Sequence, residues 1–189
     1  MRKIFLLGLL GLVFVFLVSC ATAPVKLNPV AGAPVSLDRY KTLALELSKA
    51  DGVNMSENDF GEMRSLISEA IQKHCPQFSQ VLTNGNSTNS PSLSLEVRFT
   101  EFTQPGPAVI IGIGHLIRTS GEILLSDSGG GLIMKGVLSK HLGSTLLGGE
   151  GPSGPFDFTR IFSPLSLVRK RFAEGIAKGL SSQLNSQQN

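Results

Sequence analysis

Between Leu93 and Thr100 the chain reads LSLEVRFT, with Leu93, Leu95, Val97 and Phe99 alternating against Ser94, Glu96, Arg98 and Thr100. Successive side chains on a strand point to opposite faces, so this pattern requires a strand with one buried and one wetted face. A sheet wetted on one side is mainly antiparallel, and its apolar face needs a cover. Phe102 falls out of phase, which predicts a bulge or the strand end near Glu101.

Two segments supply the cover. Ser56, followed by Asp59 three residues later, resembles a capping box with Asp in place of Glu. Behind it Phe60, Met63, Ile67, Ala70, Ile71 and His74 share one helical face, and Pro76 stops the helix near Cys75. Ser163-Pro164 opens a second helix as N-cap and first residue, with Leu165, Val168, Phe172, Ile176 and Leu180 as its apolar stripe. Beside that stripe Arg169-Lys170-Arg171 reads as a solvated basic face, with contact to anionic lipid as the other reading, and the closing SSQLNSQQN as a fraying end.

The remaining strands follow from local pattern. KTLALEL, residues 41–47, alternates; residues 78–82 form a short strand; and 116–140 form a hairpin. A turn centred on Ser128-Gly129 sets Glu122 against Lys135, Ile123 against Met134, Leu125 against Leu132 and Gly121 against Gly136. Residues 143–155 are a Gly- and Pro-rich loop. The expected fold is α+β: a mainly antiparallel sheet with two amphipathic helices on one face, in the order β-α-β-β-β-β-α.

The first residues belong to a different argument. Arg2 and Lys3 precede fifteen uncharged residues, Ile4 to Val18. A membrane-spanning helix needs about 20 apolar residues, whereas a charged start and a 7–15-residue apolar run describe a secretory signal peptide. The other reading is an uncleaved anchor that ends in cysteine. Leu17-Val18-Ser19-Cys20 resembles the lipobox of bacterial lipoproteins. The resemblance implies cleavage between Ser19 and Cys20, a diacylglyceryl group on the Cys20 thiol, and a second acylation, such as palmitate, on the new amine. Ala21 is not the aspartate that favours inner-membrane retention, so in a Gram-negative host the resemblance implies the outer membrane and a periplasm-facing domain. Two or more acyl chains anchor a protein stably without a spanning helix.

Four segments follow: a cleaved signal peptide, 1–19; a lipidated Pro/Ala-rich tether, 20–36, with a reach of about 50 Å; one domain, 37–184; and a frayed end, 185–189. Cleavage removes two of the 17 basic residues, leaving 15 against 14 acids and a net charge of +1. That balance gives no footprint for nucleic acid. With Cys20 lipidated, Cys75 has no partner thiol, so no disulfide holds the fold and Cys75 is expected to be buried.

No catalytic constellation emerges. Gly151-Pro152-Ser153-Gly154 misspaces the nucleophile-elbow motif and lies in a loop. Gly112-Ile113-Gly114 lacks the third glycine of a dinucleotide fingerprint and precedes a hairpin instead of a helix. The hairpin register puts His115 and His141 on opposite faces, and no cysteine or acidic cluster completes a metal site. The expectation is therefore no catalytic residue, no cofactor and no metal.

KTLALELSKADGVNMS, LSLEVRFTEFTQPGPAVIIGIG and SGEILLSDSGGGLIMKGVLS together resemble a family of proteobacterial lipoproteins carrying the domain of unknown function 4410. The resemblance spans roughly residues 38–180 and carries over no catalytic residue. The element order is also similar to that of the periplasmic parts of envelope assembly lipoproteins, including the curli secretion lipoprotein. The expected function is a non-enzymatic binding or assembly component of the cell envelope, joined to the membrane by its lipid and to an envelope protein partner. The alternatives are an envelope hydrolase or small-ligand binder using the loops around Gly112 and Gly151, or a pore or secretion-assembly subunit in which residues 107–140 insert as strands.

Overall fold

A computed structural model describes residues 24–30, 37–83, 92–104, 116–143 and 164–186. Its strands are β1 (Asn28–Pro29), β2 (Thr42–Lys49), β3 (Gln80–Leu82), β4 (Ser92–Phe102), β5 (Leu116–Ser126) and β6 (Leu132–Gly143); its helices are α1 (Glu57–His74) and α2 (Pro164–Ser186). The strands form one sheet in the order β1-β6-β5-β4-β2-β3. The fold is α+β, as expected, with both helices on one face.

Alternation decides which face is covered. Leu43, Leu45, Leu93, Leu95, Val97, Phe99, Ile123 and Leu125 point under the helices and are buried against Met63, Ile67, Phe172 and Ile176. Phe99 sits at the centre, its ring 5.7 Å from that of Phe172, 5.8 Å from Phe102 and 6.3 Å from Phe60. Gly121, its partner on β5, leaves room for this cluster, because a Cβ there would lie 3.2 Å from the tip of Phe172. The expected bulge falls between Phe99 and Glu101.

The sheet is mixed at one side. β2 pairs in parallel with both β3 and β4, from Thr42 opposite Ser92 to Lys49 opposite Phe99, with α1 in the connection. The capping box forms in both directions: Ser56 Oγ accepts from the Asp59 amide, and the Asp59 carboxylate accepts from the Ser56 amide. Cys75 caps the other end, its amide donating to the Ile71 carbonyl at 2.8 Å. Its thiol is fully buried and meets the Ala177 carbonyl at 3.4 Å.

Four expectations need correction. The hairpin turn does centre on Ser128-Gly129, but Ile123 faces Gly136, Leu125 faces Met134 and Glu122 faces Val137, two places from the register derived above. Two extra residues in the second arm account for the shift. Gly130, at φ +78°, makes the turn a three-residue loop, with the Gly130 amide on the Asp127 carbonyl. A second irregularity opposite Leu125 and Ser126 places Ile133 and Met134, adjacent in sequence, both out of solvent. A shift of two preserves the faces, so the core set survives.

The Pro-rich segment is not simply a tether. Residues 24–30 form a strap along β6, with Val25 and Leu27 buried and Asn28 and Pro29 paired to Lys135 and Met134. Alternation within PVKLNP provides the reason: Val25 and Leu27 point inward while Lys26 and Asn28 stay exposed. The helical end also runs further than expected, to Ser186, because Leu184 is buried against the core. The fourth correction is at Arg169, which is buried at the site described below. No helix among the described residues is long and apolar enough to cross a membrane. Ser19, Cys20, Gly112, Gly114, His115 and the Gly151–Gly154 motif lie outside the described residues.

Candidate functional site

The most developed polar arrangement lies where α1 begins, β4 ends and α2 makes its first turns. Asp59 serves as the third residue of the capping box and faces inward, only 7 % exposed. Its Oδ2 accepts from Ser56 Oγ at 2.6 Å, from the Ser56 amide at 2.9 Å and from Gln104 Nε2 at 2.9 Å. Its Oδ1 accepts from one guanidinium nitrogen of Arg169 at 3.0 Å. Burial alone pushes this carboxyl up. The hydrogen bonds from Ser56 and Gln104 and the charge of Arg169 outweigh it and bring the pKa down to about 2.

Arg169 is the residue that sequence reasoning misplaced. It is buried, with one arm of its fork on Asp59 and the other on Glu62, and its guanidinium lies 4.5 Å from the centre of the Phe102 ring. A forked, planar cation can satisfy two carboxylates and stack on an aromatic face at once, which a lysine cannot. Its Nε is buried without a hydrogen-bond partner among the described residues. Position 169 is four residues after Leu165 and three before Phe172, so it shares their helical stripe. That spacing was the available signal. Lys170, by contrast, is exposed, as expected for a solvated face.

A groove of about 520 Å³ adjoins this cluster, lined by Gly52, Val53, Asn54, Thr100, Phe102 and Arg118 among others. Arg118 donates to Glu101 Oε1 at 3.0 Å, and Ser120 Oγ donates to Glu101 Oε2 at 2.9 Å. These bonds, that of Ser120 before that of Arg118, hold the Glu101 carboxyl below its ordinary value. Ser120 also shares a 2.8 Å hydrogen bond with Ser139. The groove wall thus carries an arginine and a glutamate already paired with each other. Of the histidines among the described residues, His74 lies in the last turn of α1 and His141 stands opposite Arg118 on β6. No group of three His, Cys, Asp or Glu side chains suited to a metal occurs among the described residues.

No family model matches the chain, and no curated protein does. Solved structures do. A dodecamer of a PelC variant from Paraburkholderia phytofirmans is similar over 83 % of this chain and 98 % of its own, at 12 % identity and a TM-score of 0.53. The fold is shared. A second PelC dodecamer from the same organism covers 82 % and 96 % at 18 % identity and a TM-score of 0.48. A candidate lipoprotein from Caulobacter crescentus CB15 covers 74 % and 88 % at 14 % identity, with a TM-score of 0.33. At these identities the likeness to PelC concerns architecture and assigns no residue a role.

Proposed function

We propose that the chain is a lipid-anchored, non-enzymatic component of the cell envelope, held by acylated Cys20 at the outer membrane and facing the periplasm, where it serves binding or assembly. The observation that carries this reading is the strap. Residues 24–30, just downstream of the lipobox cysteine, are built into the sheet edge and the core instead of trailing from them. A domain whose anchor end is part of its fold is suited to working at a fixed place on a surface.

The favoured partner is a second copy of this chain. Beyond Gly136, which the strap still adjoins, β6 exposes Val137 and Ser139 on the sheet face opposite the buried Leu138. Val137, 70 % exposed, stands in that stretch. The shared architecture with a PelC that forms a dodecamer supports the same reading.

Two measurements test it. Labelled palmitate should enter the wild-type chain and be lost in Cys20→Ala, and the lipidated protein in detergent should have a mass several times that of one chain. A monomer at every concentration would refute self-assembly, and persistent label in Cys20→Ala would refute the anchor. The groove beside Arg118 and Glu101 favours a second reading, a binder of small zwitterionic ligands; Arg118→Ala should then abolish ligand-induced thermal shifts.

A further inference from the structure

The direction of the strap fixes where the lipid must lie. Read backwards from Val30, the strap passes Ile133, Met134, Lys135 and Gly136 in turn, so its upstream end points along β6 toward Lys140. On its other side it follows α2 in the same sense: Gln183 Nε2 donates to the Leu27 carbonyl at 3.1 Å, and the Val25 amide donates to the Gly175 carbonyl at 3.0 Å. Continuing upstream leads from Gly175 toward Arg171. The slot is closely fitted, because Gly136 and Gly179 leave no space for a Cβ beside Lys26 and Val25.

Five residue steps separate Cys20 from Val25, which at ~3.6 Å each limits the lipid to about 18 Å from this point. Basic side chains flank this upstream course on both sides. Lys140 of β6 lies two residues beyond the buried Leu138, and Arg171 and Lys178 of α2 lie about one turn either side of Gly175, which the Val25 amide meets; after burial, the charges of Arg171 and Lys178 lower the Lys140 pKa. Lys26 is exposed on the strap itself, and Glu174 is the acid placed between Arg171 and Lys178.

We propose that this edge, bearing Lys26, Lys140, Arg171 and Lys178, rests on the anionic phospholipid headgroups of the leaflet that holds the Cys20 lipid. The inference depends on the anchor reading above and adds the surface that meets the membrane. Four basic residues near such a surface fall at the lower end of the usual 4–8 for electrostatic docking. The acyl chains supply the anchor by themselves, and the basic patch adds orientation against the surface. The anchor also holds the patch within one or two Debye lengths of the headgroups, ~8 Å each at physiological salt.

The test uses the full lipidated chain on two sets of vesicles, neutral phosphatidylcholine and phosphatidylcholine with phosphatidylglycerol. Lysine acetylation is followed residue by residue by mass spectrometry. Flotation with both vesicles establishes the anchor independently of lipid charge; failure to float with neutral vesicles would overturn the anchor reading, and the inference with it. Given flotation, Lys26, Lys140 and Lys178 should be acetylated at least ~5-fold more slowly on anionic than on neutral vesicles, with the difference lost at ~0.5 M salt. Lys41, exposed at the far side of the sheet, should change less than ~2-fold, as expected for a charge beyond the screening distance. In the double variant Arg171→Gln, Lys178→Gln the protection of Lys140 should fall below ~2-fold while flotation persists. Equal rates on both vesicles, whether fast or slow, would overturn the inference and leave the anchor standing.

Discussion

Replacing Gly179 by alanine gives opposite outcomes depending on whether the strap occupies its slot. In an isolated helix interior, glycine to alanine is stabilising by about 1 kcal/mol, because alanine loses less backbone entropy on folding. At Gly179 the added Cβ would lie 2.3 Å from Val25 Cγ1 and 2.5 Å from the Val25 carbonyl oxygen. One of those contacts is with backbone, so no rotamer change relieves it, and overpacking of this kind costs about 1–3 kcal/mol. Release of the strap is the other way out; it forfeits the burial of Val25 and Leu27, about 1.5–3 kcal/mol each, and the Val25 and Val30 hydrogen bonds, against the backbone entropy the freed residues regain. With the strap held in place, overpacking less the helical gain leaves a destabilisation of up to about 2 kcal/mol. Gly61 on the exposed side of α1, with nothing within 4 Å of its would-be Cβ, is the internal control. Urea titration followed by circular dichroism should show Gly61→Ala moving the midpoint up and Gly179→Ala moving it down. Amide exchange at Val25 should accelerate in Gly179→Ala alone. Equal stabilisation by both substitutions would refute the seating of the strap between α2 and β6.

The ion-pair cluster and the thiol yield further expectations. Arg169→Ala leaves two carboxylates without their shared cation and should cost about 3–5 kcal/mol in urea unfolding, the usual effect of breaking a buried pair. Asp59 has a folded pKa of about 2 against 3.8 ordinarily, so its contribution is complete above pH 3.8 and disappears as the pH falls through 2. That contribution is about 2 kcal/mol, and acid titrations should show this step in the wild type and not in Asp59→Asn. Cys75, buried with its thiol pushed up to about 12, should resist maleimide at pH 8 until the chain unfolds. Rapid labelling of the folded protein would refute its placement against α2.

What could be read from the sequence was local. Ser56 and Asp59 specify their own bonds across three residues, and Leu93 to Phe99 specify one face by simple alternation; the structure repeats both. The parallel pairing of β2 with β4 had no such signature, because two leucine-rich alternating strands can be matched in either direction. The hairpin register went wrong through two inserted residues, each invisible to a symmetric pairing rule. Gly130 carried a clue, since a run of glycines after Asp127 fits a left-handed turn position as well as a central one. The strap was obscured by its prolines: they prevent a helix, but they do not prevent an extended segment from pairing at a sheet edge. In the candidate site, Asp59 was found as a cap but not as an ion-pair partner, because its second role depends on Arg169, 110 residues away.

α2 is the element on which these features converge. Its first turns carry Arg169, which fastens it to the start of α1 through Asp59 and Glu62. Its middle presents Phe172 and Ile176 to the sheet, and its later turns hold the strap at Gly175, Gly179 and Gln183. The requirements differ along its length: a charged fork where α1 and β4 meet, bulk over Phe99, and small residues where another backbone must pass. A simple apolar stripe meets only the second. The departures from that stripe, an arginine inside it and glycines beside it, therefore mark the two places where the helix is fixed to something other than the sheet. One fixes the polar end of the domain. The other ties the core to the segment that leads to Cys20, so any load on a lipid at that cysteine would pass directly into α2 and β6.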